Sequence, residues 1–276
     1  MPELPEVETV RRGLHELIIS KTITSVAHDT PKSFPNAAAD VESFLIGATV
    51  TDIRRRAKVL LIDLSTDYTL VVHLKMTGQL VFRAENVAFG AGHPNESLIG
   101  ELPDRSTRVT LEFQDGANLF FNDQRKFGWM KLMPTIEVPN IDFMKKVGPE
   151  PLEADFTPEE FAARFTRRAR TNIKAALLDQ TVVAGVGNIY ADESLWGAKI
   201  HPKRLVGTIT PDEFKLLYTE LRAVMNLAIE KGGSTDKNYV SAEGKRGSYL
   251  DFARVFRQEG QACPRCGTEI IKFKAA

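Results

Sequence analysis

The residues at the start of the chain could do covalent chemistry. The sequence begins Met1-Pro2-Glu3. Removal of Met1 is usual before a small second residue, and it would turn the Pro2 nitrogen into a free secondary amine. An α-amino group titrates near ~8, so a useful fraction is unprotonated and nucleophilic at neutral pH. Attack of such an amine on a sugar carbon gives a positively charged iminium, an electron sink for breaking neighbouring bonds. Glu3 stands next to it and can move protons.

The same residues also fit a simpler interpretation, the start of an amphipathic helix. Pro5 suits the first helical turn, and Glu6 and Glu8 favour the positive end of the helix dipole. Apolar residues follow at helical spacing, at Val7, Val10, Leu14, Leu17 and Ile18. Taken alone, an acidic, proline-bearing N-terminus favours the helix only, and the rest of the chain must decide whether chemistry is added to it.

Composition sets broad limits. The 276 residues are enough for two domains, and 43% hydrophobic with 26% charged residues is typical of a soluble globular protein. The formal net charge is zero, so the distribution of charge matters more than its sum. Two basic runs stand out, each also compatible with a solvated surface. They comprise Arg54, Arg55, Arg56 and Lys58, and then Arg164, Arg167, Arg168, Arg170 and Lys174.

Location is predicted from features that the sequence lacks. No apolar stretch is long enough to span a bilayer, and no signal peptide precedes the first helix. We therefore expect a cytoplasmic protein with no membrane partner. The two cysteines form one C-x-x-C, at Cys263 and Cys266, and a disulfide scaffold is not expected.

Short β-rich runs predict an N-terminal β-domain over residues 1–133, after the first helix. The runs 59–64, 68–74, 109–113 and 118–121 are bounded by turn residues, and Asp115-Gly116 is a hairpin signal. Many short strands with regular turns favour a sandwich or a barrel-like fold. Residues 84–106 are rich in glycine, proline and polar residues, and the sequence predicts a long loop there.

The second half of the chain is predicted to be helical. Four prolines indicate a linker over 134–156, and helix-capping sequences at Thr157 and Thr210 open a helical domain over 157–233. Gly232-Gly233 should end its last helix. Residues 234–250 are predicted to form a mobile loop, and 251–276 a strand followed by the C-x-x-C turn.

Five separated motifs occur in order along the chain and indicate a family. They are PELPEVET, RRAKVLLIDL, HLKMTGQL, NDQRKFG and VVAGVGNIYADESLW, with the C-x-x-C after them. This ordered set resembles the bacterial formamidopyrimidine-DNA glycosylase family, which removes oxidised purines such as 8-oxoguanine. Leu4, where the sister endonuclease VIII family usually has glycine, favours the glycosylase branch.

The resemblance implies an α+β multidomain fold. It comprises an N-terminal helix plus a β-sandwich, then a C-terminal helix–two-turn–helix domain with a partial zinc-finger hairpin. The implied function is that of a bifunctional glycosylase and AP lyase in base excision repair, monomeric and associated with the nucleoid. Its implied partner is damaged double-stranded DNA, held in the cleft between the domains, and β-elimination then δ-elimination would cut the strand.

The resemblance assigns three catalytic residues. Pro2 is the nucleophile that displaces the damaged base and holds the sugar as a Schiff base. Glu3 assists base departure and sugar opening. Lys58 matches a hairpin lysine linked to phosphate contact and strand cleavage; without the resemblance it is equally well a surface lysine.

Three further matched residues would fill the gap that an extruded nucleotide leaves in the duplex. Met76 matches a methionine that enters the void, and Arg125 and Phe127 match the arginine and the aromatic wedge that complete it. An adaptable methionine, a wedging phenylalanine and an arginine that bonds the orphaned base suit this task. The alternative is that Met76 and Phe127 are core residues, although charged neighbours favour exposed loop tips.

The remaining matches concern phosphate binding. Asn188, after the glycine turn 184–187, would bond the phosphate beside the lesion; a dinucleotide-binding glycine loop is the weaker alternative, because no βαβ unit surrounds it. Lys237 matches a residue that contacts damaged base or phosphate. In the second basic run, Arg168 and Arg170 would grip DNA. Before the strand at 109 the family commonly has lysine and histidines, whereas this chain offers Arg105 and Arg108 for phosphate.

The C-terminus departs from the family, which carries a zinc ion on four cysteines in a finger hairpin. The second cysteine pair is expected roughly 15–20 residues after the first. Only ten residues follow Cys266, and two thiolates cannot complete a tetrahedral structural site. A truncated product, a site completed by other residues or a second chain, and a metal-free hairpin remain open, as does the possibility that Cys263 and Cys266 bind nothing. Without the finger we expect weaker damaged-DNA binding and impaired strand cleavage.

A protein that binds damaged DNA without catalysis is the rival hypothesis from another class. The incomplete finger favours it. The intact Pro2-Glu3 pair favours the enzyme, because a binding protein has no need of it.

Overall fold

The computed structural model describes residues 1–93, 95–233 and 249–274. They form two compact units, the first built from Met1–Lys145 with Gly232 and Gly233, and the second from Lys146–Lys231 with the residues from Tyr249 onward. The α-helices of the described residues are α1 Leu4–Ile18, α2 Ala38–Phe44, α3 Asp142–Lys146, α4 Pro158–Arg164, α5 Ile173–Leu178, α6 Asn188–Gly197 and α7 Pro211–Glu230. The strands are β1 Ile23–His28, β2 Val50–Arg56, β3 Val59–Leu64, β4 Tyr68–His73, β5 Gly78–Arg83, β6 Ala88–Gly92, β7 Thr107–Phe113, β8 Asn118–Asp123 and β9 Trp129–Pro134.

Two antiparallel sheets make up most of the first unit. One has the order β1-β7-β8-β5-β6 and the other the order β2-β3-β4-β9. Apolar residues of both sheets and of α1 share one buried core. The predicted sandwich is therefore confirmed, and the Asp115-Gly116 turn joins β7 to β8 as expected.

Helix α1 begins where the sequence places it. Glu3 is its N-cap, with Pro5 in the first turn. Val7, Val10 and Leu14 have no exposed surface, because they lie on the face that packs into the shared core. Burial of that apolar face, rather than intrinsic helix propensity, holds the N-terminus of the chain in place.

The predicted loop 84–106 is wrong in part. Strand β6 lies inside it and pairs with β5, and a 3₁₀ turn follows at Glu96–Leu98. The β6 sequence, Ala-Phe-Gly-Ala-Gly, has a single large side chain, so no alternation of apolar and polar residues marks it as a strand. Pairing with β5 decides its conformation.

The predicted linker 134–156 is also more ordered than expected. A 3₁₀ helix at Thr135–Asn140 and then α3 occupy its first half. Buried Val138 packs with Val59, Leu61 and Val71 on the face of the four-stranded sheet that is turned away from the shared core. This cover explains why β3 reads as an almost continuous apolar run.

Helices dominate the second unit. Thr157 and Thr210 accept hydrogen bonds from backbone N–H groups of the first turns of α4 and α7, as their sequences predict. Helix α7 ends before Gly232. In place of the predicted strand, the described residues after Tyr249 begin with a 3₁₀ helix, Tyr249–Phe252, and then form turns with one isolated β-bridge. Among the described helices, none has the length and apolar character needed to cross a membrane.

Candidate functional site

The predicted nucleophile lies at the buried start of α1. Pro2 is buried beneath an exposed Met1, and its nitrogen is in a peptide bond while Met1 is present. Glu3 is 3% exposed, and its backbone N–H donates to Glu6 Oε2 at 2.8 Å. The positive end of the α1 dipole therefore favours a carboxylate at Glu3, beside Pro2.

Lys58 lies on the tight turn between β2 and β3, where Arg56 pairs directly with Val59. It is only 6% exposed, so the structure does not place it on the surface as a solvated lysine. Burial lowers the pKa of its ammonium below the usual value, and the carboxylates of Glu3 and Glu6 act in the opposite direction. The fold thus brings Lys58 into the electrostatic field of Glu3, which is far from it in sequence.

His73 belongs to the same neighbourhood, and sequence reasoning did not select it. It ends β4 and pairs with Val59, the residue after Lys58. Burial, together with the positive charges of Lys75 and Lys58, lowers the pKa of His73 to about 3. Its Nδ1 accepts the Lys75 backbone N–H at 3.1 Å, a bond that a neutral imidazole can make.

This neutral histidine predicts a pH dependence of stability. Below the ordinary histidine pKa, the unfolded chain takes up a proton that the folded chain does not. The free energy of unfolding should therefore fall by ~1.4 kcal/mol per pH unit as the pH drops from the ordinary value towards about 3. His73→Asn keeps an acceptor and should remove this slope. Urea unfolding followed by circular dichroism at about pH 6.5 and about pH 5, above most carboxyl pKa values, measures it.

The control for this prediction is His15→Gln, which removes one imidazole from an exposed position. It should leave the slope of the parent protein in place. An unchanged slope in His73→Asn would contradict the assignment of a neutral, buried His73.

The three predicted gap-filling residues occupy exposed positions on two loops of the first unit. Met76, between β4 and β5, is 38% exposed, and Phe127, between β8 and β9, is 44% exposed. The Arg125 guanidinium lies over the Phe127 ring at 4.7 Å from its centroid. The interpretation of Met76 and Phe127 as core residues is therefore wrong.

A buried carboxylate that sequence reasoning missed anchors these loops. Asp123 has no exposed surface, and its Oδ2 accepts the backbone N–H groups of Phe127 at 2.8 Å and Gly128 at 2.7 Å. A Cβ at Gly128 would lie 2.6 Å from the Phe121 ring, so only glycine fits this turn. The Asp-x-x-x-x-Gly spacing was the available signal, although aspartate is common in turns of every kind and such a spacing is weak evidence.

The two arginines expected to hold phosphate differ in position. Arg105 is exposed. Arg108 is 5% exposed, pairs with Asp29 and donates to the Asp123 carbonyl at 2.8 Å. A guanidinium engaged in this way is not presented to a phosphate, and this corrects the expectation for Arg108. Its contacts fix the end of β8, where the second loop begins.

Asn188 lies at the predicted turn of the second unit and is exposed as the first residue of α6. Gln180 shapes this turn, because its Oε1 accepts the Gly185 N–H at 2.9 Å and its Nε2 donates to the Val186 carbonyl at 2.8 Å. The N-cap residue is Gly187, which has no side chain of its own to cap the helix. The exposed Asn188 amide therefore lies at the N-terminal end of α6, where the positive end of the helix dipole favours an anion.

Several side chains of the second basic run already have partners within the protein and are therefore less available to bind phosphate. Intramolecular partners hold three of its members, in the pairs Arg164–Thr181, Arg168–Asp179 and Lys174–Asp192. The Arg168 side chain keeps 40% exposure. Arg170 and Arg167 are exposed, and the described residues give neither of them an ion pair. Lys237 lies outside the described residues.

The C-terminal segment is attached to α6 through a buried carboxylate. Glu193 has no exposed surface; its Oε1 accepts the backbone N–H groups of Val255 and Phe256, each at 2.8 Å. Its Oε2 accepts that of Arg254 at 2.9 Å. Hydrogen bonds of this kind, from backbone donors to a charged acceptor, are stronger than neutral ones.

Trp196, on the same helix, makes the second attachment. The guanidinium of Arg265 lies 3.9 Å from its ring centroid and that of Arg254 lies 5.0 Å away. The indole N–H donates to Cys263 Sγ at 3.4 Å. Within the C-x-x-C turn the Cys263 N–H donates to the Thr268 carbonyl at 2.8 Å, so the turn has a regular hairpin bond.

The residues present do not fit a structural zinc ion. Such a site takes four ligands, and the described residues contain no group of three or more histidine, cysteine, aspartate or glutamate side chains able to hold a metal. Cys263 and Cys266 supply two thiols. The contacts with Glu193 and Trp196 hold the segment against α6.

This packing predicts that a chelator leaves the protein intact. Loss of a structural zinc removes about 10 kcal/mol or more of folding free energy from a small zinc domain. We expect 1,10-phenanthroline to leave the melting temperature of the 276-residue chain unchanged, and Trp196→Ala to lower it, because the indole holds Arg265 and Cys263. Calorimetry and zinc analysis measure both. One bound zinc per chain together with a chelator-induced fall in melting temperature would contradict this expectation.

Comparison with protein families finds two matches along the chain. The formamidopyrimidine-DNA glycosylase N-terminal domain matches residues 1–130, and the formamidopyrimidine-DNA glycosylase H2TH domain matches residues 147–239. Curated relatives carrying the name formamidopyrimidine-DNA glycosylase include one from Pelotomaculum thermopropionicum, 41% identical over 99% of this chain and 94% of the relative. Another, from Streptococcus pneumoniae, has the same identity and coverage.

Solved structures agree with the sequence comparisons. A Lactococcus lactis Fpg variant in complex with Fapy-dG-containing DNA is 35% identical and superimposes with a TM-score of 0.85, covering 99% of this chain and 94% of that one. The same enzyme with abasic-site DNA gives the same identity, coverage and TM-score. MutM from Thermus thermophilus is 37% identical with a TM-score of 0.81, covering 97% and 92%.

Proposed function

Because the chain belongs to the formamidopyrimidine-DNA glycosylase family, we propose that it excises oxidised purines, including 8-oxoguanine and formamidopyrimidines, from duplex DNA and then cuts the strand. The observation that carries this proposal is the neighbourhood of Pro2. Buried Glu3 adjoins it, and Lys58, distant in sequence and also buried, lies within the electrostatic field of Glu3.

The first step is displacement of the damaged base. After Met1 is removed, the lone pair of the Pro2 nitrogen attacks C1′ of the damaged nucleotide, and the bond from C1′ to the base breaks with its electron pair leaving on the base. Glu3 moves the protons that let the base depart and the sugar ring open. The product is an iminium between Pro2 and C1′, a positively charged electron sink.

Strand cleavage follows from that iminium. It acidifies the proton on C2′, and loss of this proton expels the 3′ phosphate by β-elimination; a second elimination then expels the 5′ phosphate. Lys58 has a pKa lowered by burial, so more of it is neutral at working pH than in an exposed lysine. It can therefore exchange protons near the sugar as well as attract phosphate.

Access to C1′ requires the nucleotide to leave the duplex. The exposure of the Met76 and Phe127 side chains on their loops supports the proposal that they enter the vacated space. Arg125, stacked on Phe127, has its guanidinium available to the orphaned base. Relatives whose structures contain Fapy-dG or abasic-site DNA support duplex DNA as the partner.

Phosphate binding is assigned to exposed donors. Asn188, exposed at the N-terminal end of α6, would bind a phosphate in the second unit. Arg105, Arg168 and Arg170 retain exposed surface and would add affinity that falls as salt rises. Lys237 retains its predicted role at base or phosphate.

The test is borohydride trapping with a duplex that carries 8-oxoguanine. Borohydride reduces an iminium to a stable amine, so the enzyme should give a covalent protein–DNA adduct, and mass spectrometry should place it on Pro2 with Met1 absent. Correctly processed protein that binds the duplex but gives no adduct would instead support the rival function, damaged-DNA binding without catalysis.

A further inference from the structure

The two loops that carry Met76 and Phe127 meet at one buried carboxylate. Asp123 Oδ1 accepts the Thr77 hydroxyl and also the Arg125 backbone N–H at 3.2 Å. Its Oδ2 accepts the backbone N–H groups of Phe127 and Gly128, at the far end of the second loop. Thr77 directly follows Met76 in the first loop.

Thr77 completes the link from its own side. Its Oγ1 accepts the Arg125 N–H at 3.2 Å while its proton goes to Asp123, so one hydroxyl bonds both the carboxylate and the second loop. Thr77 is 9% exposed and Asp123 has no exposed surface. Hydrogen bonds to a buried charge are among the strong ones, and removal of one partner is costly.

From this geometry we propose that Thr77 and Asp123 are positioning residues that make Met76 and Phe127 enter DNA as one unit. This inference rests on the proposed function. A carboxylate with acceptor sites filled from both loops resists movement of either loop alone. Insertion of one side chain then carries the other with it, so the two contributions to base excision are coupled rather than independent.

The alternative is that Asp123 only stabilises the second loop. In that case Thr77 adds stability but does not couple the two loops. The contributions of Met76 and Phe127 to excision are then independent of each other. The two possibilities differ in the coupling free energy between Met76 and Phe127 in base excision. Loss of protein stability alone does not change that coupling.

A double-mutant cycle measures this coupling. Single-turnover excision of 8-oxoguanine from duplex DNA is followed for Met76→Ala, Phe127→Ala and the double variant. If the two side chains act independently, the fold-losses of the two single variants multiply to give the loss of the double variant. In the chain with Thr77 intact, we expect the double variant to excise at least about fivefold faster than that product predicts, a coupling of the size seen for interacting residues. The cycle is repeated in Thr77→Val, which loses the hydroxyl, and in Thr77→Ser, which keeps it.

We expect the coupling to persist in Thr77→Ser and to disappear in Thr77→Val, with melting temperatures recorded for each chain. Equal coupling in both backgrounds, or none in the parent, would overturn the inference. If Thr77→Val does not fold, Asp123→Asn takes its place, because an amide keeps one acceptor oxygen and its NH2 group cannot accept the donors that the second carboxylate oxygen now accepts. A parent without excision would instead overturn the proposed function, so the two failures are distinct.

Discussion

Replacing Glu3 with glutamine is expected to lower the single-turnover rate of 8-oxoguanine excision by about 10²–10⁴-fold, the usual contribution of a positioned acid or base. Glutamine matches glutamate in size but cannot give or take a proton. The Glu3 side chain takes part in the capping box with Glu6, and glutamine keeps an oxygen that can accept the same backbone N–H, so the start of α1 should survive. Cleavage at a preformed abasic site should fall less, because base departure is already complete and only the opening of the sugar ring still depends on Glu3.

The matched control is Glu6→Gln. Glu6 also lies in the electrostatic field of Lys58, so this variant removes one nearby negative charge without removing the proposed proton carrier. It should excise at close to the rate of the parent. If Glu6→Gln loses as much activity as Glu3→Gln, loss of charge beside Lys58 explains the effect and the proton-transfer role of Glu3 is wrong.

Pro2→Gly is expected to lose about 100-fold in excision, a barrier increase of about 2.7 kcal/mol. Proline forms an iminium that is charged at every pH, whereas glycine forms an imine that must first be protonated. Glycine is also small, so removal of Met1 should continue, and intact mass checks this. The trapped adduct should fall in parallel with the rate. Excision at the rate of the parent would contradict the assignment of Pro2 as nucleophile.

The strands that could be predicted from sequence are those with strong apolar patterns. The run 59–64 coincides with β3 because both faces of that strand are buried, by the shared core and by the cover at Val138. Strand β6 was not predicted, because two of its five residues are glycine and two are alanine, and this composition gives no apolar pattern. Its conformation depends on pairing with β5, which a local pattern does not report.

The candidate site shows the same division. Pro2, Glu3 and Lys58 could be selected from motifs, and their residue types already suggest chemistry. Asp123 and Glu193 could not be selected, because a single acidic residue among many gives no pattern. Only the fold shows that Asp123 accepts backbone N–H groups of the next turn and that Glu193 accepts those of a segment distant in sequence. The prediction that Arg108 binds phosphate was wrong because the sequence does not show whether an arginine is exposed or buried. The ion pair of Arg108 with Asp29 becomes visible only in the fold.

Trp196 gives the C-terminal hairpin a built-in optical reporter. A thiol and two guanidinium groups surround its indole, and thiols and cations commonly quench tryptophan emission. The chain has one other tryptophan, Trp129, which belongs to the first unit. Detachment of the hairpin should therefore brighten the fluorescence of Trp196 selectively, and a chain with Trp129 replaced by phenylalanine would let this local event be timed in a stopped-flow instrument while DNA binds.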